Sequence, residues 1–565
     1  MFQVQYISSH WRRISIFPVN MFNPWLALLL ASSSAAAQQI PLSFQATNSE
    51  WTVFHHPIKS VAVIGAGPAG LQAAAKLIEH NFTVRLFDRA PSPGGNWFYT
   101  DETPVREPYP DKPFDEKPYI PENLPATHYY EDGEEGLSLE DRWKEHWQPR
   151  PVWDSLHTNS PAVITELPDV PYSADKPWVL SNHDIQRHVR AYASFHNLNA
   201  NDYPTNSRHA PVTSYSTRVE ELLKIESTQT WRLTLRKLER LSETNRIKAQ
   251  WWTEDFDAVV IATGPYVSPH VPDIAGLLEW SKVKDGDQYS VYHSQSYRRP
   301  ERYQNKTILV VGSSVSASEI SRDIAPYASN IIASIRPHED LHPFKLRSLL
   351  RFPSVTAFVP EIDHFEPLAA QDKGIKDGAI HLINGSVLRG IDEVILATGY
   401  IHSNIFLPNF TSDGQPANLH WTGHYIPDPT LAYTNVRPWT IGKYQSYAFA
   451  KVWEGTAHLP TQKQMREDYD NGKYHFRGLF ASAPAEALFR QYVAWLNNES
   501  LINGGRFVEP WPLEKREVFV YYSDVEWIKG YTSLANFTDF EVLPSREWNS
   551  DKAAWEAMVY EDLQW

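Results

Sequence analysis

Residues 61–70 read VAVIGAGPAG, four apolar residues that pass directly into a turn of glycine, alanine and proline. A short continuous apolar run of this kind is typical of a strand buried on both faces of a parallel sheet. One apolar face continues after the turn and predicts a helix, with Leu71, Ala74, Leu77 and Ile78 on it. Val84 to Phe87 then predicts a second strand. The stretch therefore predicts a β-turn-α-β unit that binds a dinucleotide.

The turn has the composition that a pyrophosphate site requires. Gly65 permits the tight turn, Gly67 lets the backbone approach the phosphates, and Gly70 lets the helix pack closely on the strand. Pro68 and Ala69 open the helix, whose N-terminus faces the anion. We therefore predict that these five residues bind the cofactor.

Asp88 ends the next strand, about 20 residues after the turn, where an acceptor for ribose hydroxyls is expected. A solvent-exposed turn carboxylate is the alternative interpretation. The spacing favours the cofactor role for Asp88.

A second unit of the same kind lies at residues 308–335. The strand Ile308 to Val311 leads into GSSVSA and a helix, and a further strand ends at Ile335. The segment DAVVIATG at 257–264 returns as DEVILATG at 392–399, so each unit closes on a similar strand. The pattern predicts an α/β fold with two Rossmann-like dinucleotide-binding domains.

The second turn departs from the usual glycine pattern. Ser314 takes the second glycine position and Ala317 the last, which weakens the site without removing it, because a serine can also donate to a pyrophosphate. The predicted nucleotide contacts are Gly312, Ser313, Ser314, Ser316 and Ala317.

The end of the second strand decides which nicotinamide coenzyme is expected. Arg336 stands where an acid would favour NADH, and a guanidinium suits a 2′-phosphate, so NADPH is predicted, with Ser334 assisting. An ordinary surface arginine is the alternative.

The segment SPGGNW at 92–97 carries a family resemblance. GAGPAG, then an acid, then Gly94-Gly95-Asn96-Trp97 resembles the FAD site of the flavin-containing monooxygenases and their Baeyer-Villiger relatives. The resemblance implies that Gly95, Asn96 and Trp97 lie beside the isoalloxazine ring. A glycine-rich turn with a core tryptophan is the structural alternative.

The segment DSLHTNSP at 154–161 is similar to the family's threonine-asparagine segment. By that resemblance Thr158 and Asn159 contact the flavin, and Asn159 is the catalytic residue. Its neutral amide can donate and accept hydrogen bonds without protonating a flavin hydroperoxide. Without the flanking motifs, a turn cap would be the preferred role of this asparagine. The closing flavin segment of the family also has a counterpart here, and it implies a cofactor contact at Gln445.

Residues 287–297 only half match the family's linker motif. His293 and Tyr297 fit, whereas Asp287 and Tyr289 replace a phenylalanine and a glycine. The departure leaves the reaction type open, and His293 is alternatively a residue that packs the linker.

The resemblance implies an FAD-dependent, NADPH-using monooxygenase that inserts one oxygen atom from dioxygen into a small organic substrate through a flavin hydroperoxide. It suggests an aromatic polyketide or pigment precursor of fungal secondary metabolism as the substrate. The alternatives are a Baeyer-Villiger monooxygenase, a flavin oxidase or dehydrogenase that does not need NADPH, and a non-catalytic flavin-binding protein.

Composition excludes several other classes. The net charge of −15 argues against binding to nucleic acid, which requires a basic excess. The absence of cysteine excludes disulfides and redox-active cysteine pairs. The histidines show no metal-binding spacing, so no metal is predicted.

The first 37 residues resemble a secretory signal peptide. Arg12 and Arg13 precede the apolar run from Trp25 to Ala31, and small residues follow up to Ala37, where cleavage is predicted. Met21 is an alternative start. The apolar run is too short for stable membrane insertion, so a secreted or lumenal glycoprotein is expected. Six glycosylation sequons agree with this, at Asn81, Asn305, Asn384, Asn409, Asn498 and Asn536.

We predict an FAD-binding domain over 58–275, with an antiparallel insertion at about 210–255 indicated by alternating polar and apolar residues. An NADPH-binding domain over 276–390 follows, then a return to the FAD-binding domain over 391–460. Residues 101–150 predict a long surface excursion without helix or strand. Residues 461–565 form a C-terminal extension that is expected to wrap both domains.

Overall fold

The computed structural model describes the following residues: 50–105, 109, 118–160, 162–173, 175–177, 179–199, 212–266, 268–336, 349, 351–412, 415–434, 439–474, 483–510, 512 and 515. The helices are α1 (Pro68–Glu79), α2 (Leu139–Trp147), α3 (Ala162–Thr165), α4 (Asn182–Phe195), α5 (Leu277–Ser281), α6 (Val315–Ile324), α7 (Trp439–Glu454), α8 (Gln462–Asp470) and α9 (Ala483–Asn503). Short 3₁₀ turns lie at Gly95–Trp97, Glu134–Gly136, Ser294–Ser296, Glu301–Tyr303, Ile375–Asp377 and Pro408–Phe410.

The strands, in chain order, are β1 (Ser60–Ile64), β2 (Thr83–Phe87), β3 (Ala126–Tyr130), β4 (Thr213–Ser214), β5 (Thr217–Ile225), β6 (Thr230–Leu241), β7 (Arg246–Phe256), β8 (Ala258–Ile261), β9 (Ser268–Pro269), β10 (Lys284–Asp285), β11 (Gln288–Tyr289), β12 (Val291–His293), β13 (Thr307–Val311), β14 (Asn330–Ser334), β15 (Thr356–Val359), β16 (Ile362–Phe365), β17 (Ala379–Leu382), β18 (Val387–Arg389), β19 (Glu393–Leu396), β20 (Tyr400–Ile401), β21 (Thr411–Ser412), β22 (Gln415–Pro416), β23 (Leu419–His420), β24 (His424–Tyr425) and β25 (Leu431–Tyr433).

The first predicted strand, β1, lies inside a sheet with the order β23-β24-β25-β8-β1-β2-β4. β1 pairs in parallel with β2 and β8, and β8 pairs in parallel with β25. Because both faces of β1 are covered, its apolar run is continuous. α1 and α7 cover one face, and the antiparallel strands β5 and β6 pack on the other.

The second unit repeats this arrangement. Its sheet has the order β12-β19-β13-β14-β15, with every pairing parallel. α6 packs on one face through Ala317, Ile320 and Ile324, while the antiparallel strands β16 and β17 and the helix α5 pack on the other. The two Rossmann-like units predicted from the sequence are therefore present.

The prediction for residues 101–150 is wrong, because they contain β3 and α2. β3 pairs with β7, so that Ala126 lies opposite Trp251, and it extends the inserted sheet to the order β3-β7-β6-β5. The side chains of β3 are mostly exposed, so its sequence carries no alternation of polar and apolar residues to detect. α2 begins after Ser138, whose side chain accepts from the backbone N–H of Asp141, a capping signal that the sequence analysis missed.

Two further details differ from the sequence predictions, and a third is tested only in part. Ile78 is 39% exposed, unlike the rest of its predicted face, because the burial of α1 ends in the last turn of that helix. Glu393–Leu396 pairs with β13 in the second sheet, so the return to the first unit begins after the predicted residue 391. The C-terminal helices α8 and α9 pack on β23 and α7 of the first unit, and contact with the second unit stays a prediction.

Candidate functional site

The first glycine turn leaves β1 at the carboxyl edge of the sheet, between β2 and β8. Gly65 has φ +110°, and its N–H donates to the carbonyl of Phe87 at 2.8 Å. A Cβ on Gly65 would lie 2.4 Å from the carbonyl oxygen of Ala262, and one on Gly70 would lie 1.9 Å from that of Gly65. Neither position accepts a side chain, so both glycines are required by the fold itself.

The second turn is built in the same way. Gly312 has φ +129°, and a Cβ there would lie 2.4 Å from the carbonyl oxygen of Ala397. Ala262 and Ala397 are the alanines of the two Ala-Thr-Gly segments. The repeated segment thus has a packing reason, since in each unit its alanine carbonyl lies against the first glycine of the turn.

The Gly94-Gly95 pair lies directly against the first turn. The N–H of Gly94 donates to the carbonyl of Ala66 at 3.1 Å. A Cβ on Gly95, whose φ is +56°, would lie 2.5 Å from the Cα of Gly67. Bare backbone therefore faces bare backbone at the start of α1, and this cradle fits a pyrophosphate at a helix N-terminus.

The remaining predicted residues of this loop surround the same place. Pro68 and Ala69 form the first turn of α1, with Gly67 as its N-cap residue. Asn96 and Trp97 belong to the 3₁₀ turn, and the Trp97 ring meets Trp439 edge-on at 6.3 Å. The loop predicted to carry the flavin is thus next to the turn predicted to carry its phosphates.

Asp88 is buried, so it is not an exposed turn carboxylate. One carboxylate oxygen accepts from the N–H of Ala66 at 2.6 Å, and the other from the N–H of Ala90 at 2.7 Å. Arg150 lies 3.4 Å from the second oxygen. Asp88 therefore also holds the turn together, in addition to the predicted ribose contact.

Thr158 and Asn159 differ in what they contact. Thr158 is buried, and its hydroxyl donates to the Ser160 carbonyl and accepts from the N–H of Leu180. Asn159 is exposed, and its amide has no hydrogen bond to any residue that the structure describes. Thr158 thus fixes the segment, while the Asn159 amide keeps its full hydrogen-bonding capacity.

The serines of the second turn are accessible in different degrees. Ser314 is exposed and stands at the N-cap of α6 without a capping hydrogen bond, whereas Ser313 and Ser316 are half-buried. Ala317 is fully buried against the sheet. The exposed hydroxyl of Ser314 at a helix N-terminus fits the predicted contact with a phosphate.

Arg336 and Ser334 already have partners in the protein. The Arg336 Nε donates to Glu361 at 2.7 Å, and the Ser334 hydroxyl donates to the Pro360 carbonyl at 2.9 Å. The Arg336 side chain is nevertheless 71% exposed at the carboxyl end of β14. It is in the place predicted for a 2′-phosphate contact, with a competing carboxylate beside it.

His293 joins the linker to the end of the second unit. Its Nε2–H donates to the Gly399 carbonyl at 3.0 Å, and its Nδ1 accepts from the N–H of Gln295 at 3.1 Å. Burial lowers the pKa of His293 to about 3, so the ring is neutral. The Tyr297 hydroxyl donates to Asp323. These contacts agree with the alternative in which His293 packs the linker.

Gln445 is fully buried in α7. Its side-chain oxygen accepts from the hydroxyl of Thr434 at 3.0 Å, and its nitrogen donates to the carbonyl of Thr422 at 3.3 Å. Both amide ends therefore bind protein groups, and a direct contact of Gln445 with flavin stays a prediction.

A junction of three segments was missed by the sequence analysis. Arg299 donates to Asp101 at 3.0 Å and to Asp154 at 2.7 Å. Asp101 follows the Gly94–Trp97 loop, Asp154 precedes Asn159, and Arg299 follows the linker residue Tyr297. The neighbouring Arg298 is buried and donates to the carbonyls of Glu102, Gln295 and Tyr297. In the sequence, the only sign of this junction is that Asp101 and Asp154 lie beside recognised motifs.

Comparison with known proteins agrees with this geometry. The family model described as pyridine nucleotide-disulphide oxidoreductase matches residues 59–338. Flavin-containing monooxygenase iboF of Amanita muscaria is 35% identical over 80% of this chain and 91% of its own length. Flavin-containing monooxygenase ustF2 of Aspergillus flavus is 32% identical over 74% and 87%.

A solved structure shares the fold. S-allyl-L-cysteine S-oxygenase from Allium sativum has a TM-score of 0.58 at 20% identity, covering 90% of this chain and 98% of that one. This structural similarity supports the fold, whereas the 35% and 32% sequence identity to the two monooxygenases shows the family and its cofactors. The chain belongs to the flavin-containing monooxygenases, and it is an oxidoreductase that uses FAD and NADPH to insert oxygen from dioxygen into a small organic molecule.

Proposed function

We propose that FAD lies on the first glycine turn and NADPH on the second. The observation that supports this most strongly is that each turn leaves, at its carboxyl end, an inner strand with parallel neighbours on both sides, where dinucleotides bind in such folds. FAD supplies the acceptor for the NADPH hydride and the centre at which dioxygen is activated.

In this proposal the first site is formed by the turn and by the loop that lies against it. The turn residues bind the phosphates, Asp88 binds the ribose, and the loop and Thr158 hold the ring. These residues are Gly65, Gly67, Pro68, Ala69, Gly70, Asp88, Gly95, Asn96, Trp97 and Thr158.

Asn159 is proposed as the catalytic residue. Its amide is exposed and has no hydrogen bond to a described residue, so it can donate to reacting oxygen and accept from the nicotinamide amide. A neutral donor stabilises developing negative charge without delivering a proton. Electrostatic positioning by Asn159 is therefore its proposed contribution.

In the second site, Gly312, Ser313, Ser314, Ser316 and Ala317 hold the phosphates. Arg336 binds the 2′-phosphate with Ser334 beside it, which requires the Arg336 guanidinium to be shared with, or released from, Glu361. An aromatic polyketide or pigment precursor is proposed as substrate, with Baeyer-Villiger oxidation as the alternative chemistry.

We further propose that the protein enters the secretory pathway. Residues 1–37 carry the signal pattern and lie outside the described residues. Three sequon asparagines, Asn81, Asn305 and Asn384, are exposed and can accept a glycan. Among the described residues, none of the helices combines the length and the hydrophobicity that a membrane span requires.

The test is an NADPH and oxygen uptake screen of the purified yellow protein with candidate aromatic substrates. A product heavier by one oxygen atom, formed in proportion to the NADPH consumed, is expected. Stoichiometric hydrogen peroxide with every substrate would instead favour an oxidase. Product structure separates an inserted ester oxygen, the Baeyer-Villiger outcome, from oxidation of a heteroatom or ring carbon.

A further inference from the structure

Arg150 is a largely buried cation next to the predicted FAD site, and no sequence motif includes it. Its side chain is 10% exposed, and that of Asp88 beside it is 4% exposed. The only described partner of Arg150 is the Asp88 Oδ1, 3.4 Å from one terminal nitrogen. Its Nε is buried and has no hydrogen-bond partner. Of the five N–H groups of this guanidinium, one has a described protein acceptor, and the buried Nε–H has none.

The surroundings of Asp88 contain more donors than acceptors. The N–H groups of Ala66 and Ala90 already take one lone pair on each carboxylate oxygen. The Arg150 contact at 3.4 Å is too long to satisfy its remaining donors. Burial lowers the pKa of Arg150, and Asp88 opposes that shift. Because a buried charge is stable only when it is paired and hydrogen-bonded, the site lacks acceptor groups that a ligand would bring.

We propose that Arg150 binds the adenosine half of FAD. A ribose hydroxyl at this place can donate to a free lone pair of Asp88 and accept from Arg150, so one ligand group satisfies both. Asp88 orients the guanidinium, and Arg150 supplies the donors that Asp88 cannot. This inference rests on the proposed position of FAD at the Gly65–Gly70 turn.

The test measures the dissociation constant of FAD by diluting the holoenzyme and following released flavin fluorescence. Arg150→Gln is expected to weaken FAD about 10-fold to 100-fold, the effect of losing a charge-assisted hydrogen bond. Binding of FMN, which lacks adenosine, should be unchanged. Arg150→Lys keeps the positive charge but not the planar set of guanidinium N–H donors, so an intermediate FAD affinity is expected.

Arg142→Gln is the matched control. Arg142 is also buried, but its guanidinium contacts Glu135, the Glu134 carbonyl and the Tyr130 ring. The control should therefore keep the wild-type FAD affinity even if it lowers stability.

Three outcomes would overturn the proposal: Arg150→Gln with FAD affinity within about twofold of wild type, equal weakening of FMN, or the same loss in Arg142→Gln. If Arg150→Gln is insoluble, Arg150→Lys decides, and an unchanged FAD affinity in it overturns the inference. The variant Gly67→Val distinguishes a failure of the Arg150 proposal from a failure of the proposed FAD position. Loss of FAD there, with no effect at Arg150, rejects only the role of Arg150, whereas retained FAD rejects the FAD position as well.

Discussion

Replacing Glu361 by glutamine is expected to tighten the binding of NADPH and to leave that of NADH unchanged. In the structure the Arg336 Nε donates to Glu361 at 2.7 Å, at the place where the 2′-phosphate is proposed. A phosphate that binds this guanidinium meets the negative charge of Glu361. Removing that charge frees Arg336 and ends the repulsion.

The size of the expected gain in NADPH affinity follows from the solvent exposure of Arg336 and Glu361. The side chains of Arg336 and Glu361 are 71% and 38% exposed, so their ion pair contributes at most about 1 kcal/mol. A charge-assisted bond from Arg336 to phosphate contributes about 1.5 to 3 kcal/mol. Wild-type preference for NADPH should then be about 0.5 to 2 kcal/mol, and Glu361→Gln should add up to about 1 kcal/mol, or roughly fivefold in affinity.

The assay is titration of both coenzymes into wild type, Glu361→Gln, Arg336→Ala and the double variant. Arg336→Ala should lose most of the NADPH preference, and in the double variant Glu361→Gln should add only the smaller gain that comes from ending the repulsion. Arg232→Ala is a suitable control, because Arg232 forms a similarly exposed pair with Asp255 on the inserted sheet. Equal changes for NADPH and NADH in either single variant would refute the role of Arg336 in binding the 2′-phosphate.

Three other results are expected. Gly67→Val should give colourless protein, since even a Cβ lies 3.4 Å from the Gly95 Cα and valine adds two methyl groups; a yellow variant with one FAD per chain contradicts this. Asn159→Leu should keep FAD and NADPH oxidation but lower oxygen transfer about 100-fold, with hydrogen peroxide taking up the electrons; unchanged peroxide yield removes Asn159 from the mechanism. Burial lowers the pKa of His424 to about 3, so its contribution to stability is full above pH 6.5 and falls by about 1.4 kcal/mol per pH unit below it. His424→Phe should flatten the decline of Tm between pH 6.5 and 4.5, and an unaltered decline would exclude His424 as its source.

The parts of the fold that were predictable are those whose signal is local. β1, α1 and β2 follow one another within 28 residues, and their apolar pattern records burial on both faces of a sheet. β3, which pairs with β7, could not be found in this way. Its own side chains are mostly exposed, so they carry no alternation.

In the candidate site too, the features with a local sequence signal are the ones that could be predicted. Gly65 and Gly312 are visible in the sequence because their positive φ and the nearby alanine carbonyls leave no room for a side chain. What a charged side chain contacts depends on the tertiary structure. No local pattern shows that Arg150 is largely buried beside Asp88 whereas Arg336 is exposed. The Arg336–Glu361 pair likewise depends on β14 and β15 being neighbours.

The order of strands in the first sheet has a consequence for how the chain is made. β8 needs β25 as its neighbour, yet Leu431–Tyr433 is synthesised after every strand of the second sheet. A nascent chain that has emerged as far as Leu396 holds a complete second sheet and an unfinished first one. The first sheet, whose strands β1 and β2 are synthesised first, is therefore completed last. Until β25 is made, the apolar edge of β8 is open to chaperones or to wrong partners.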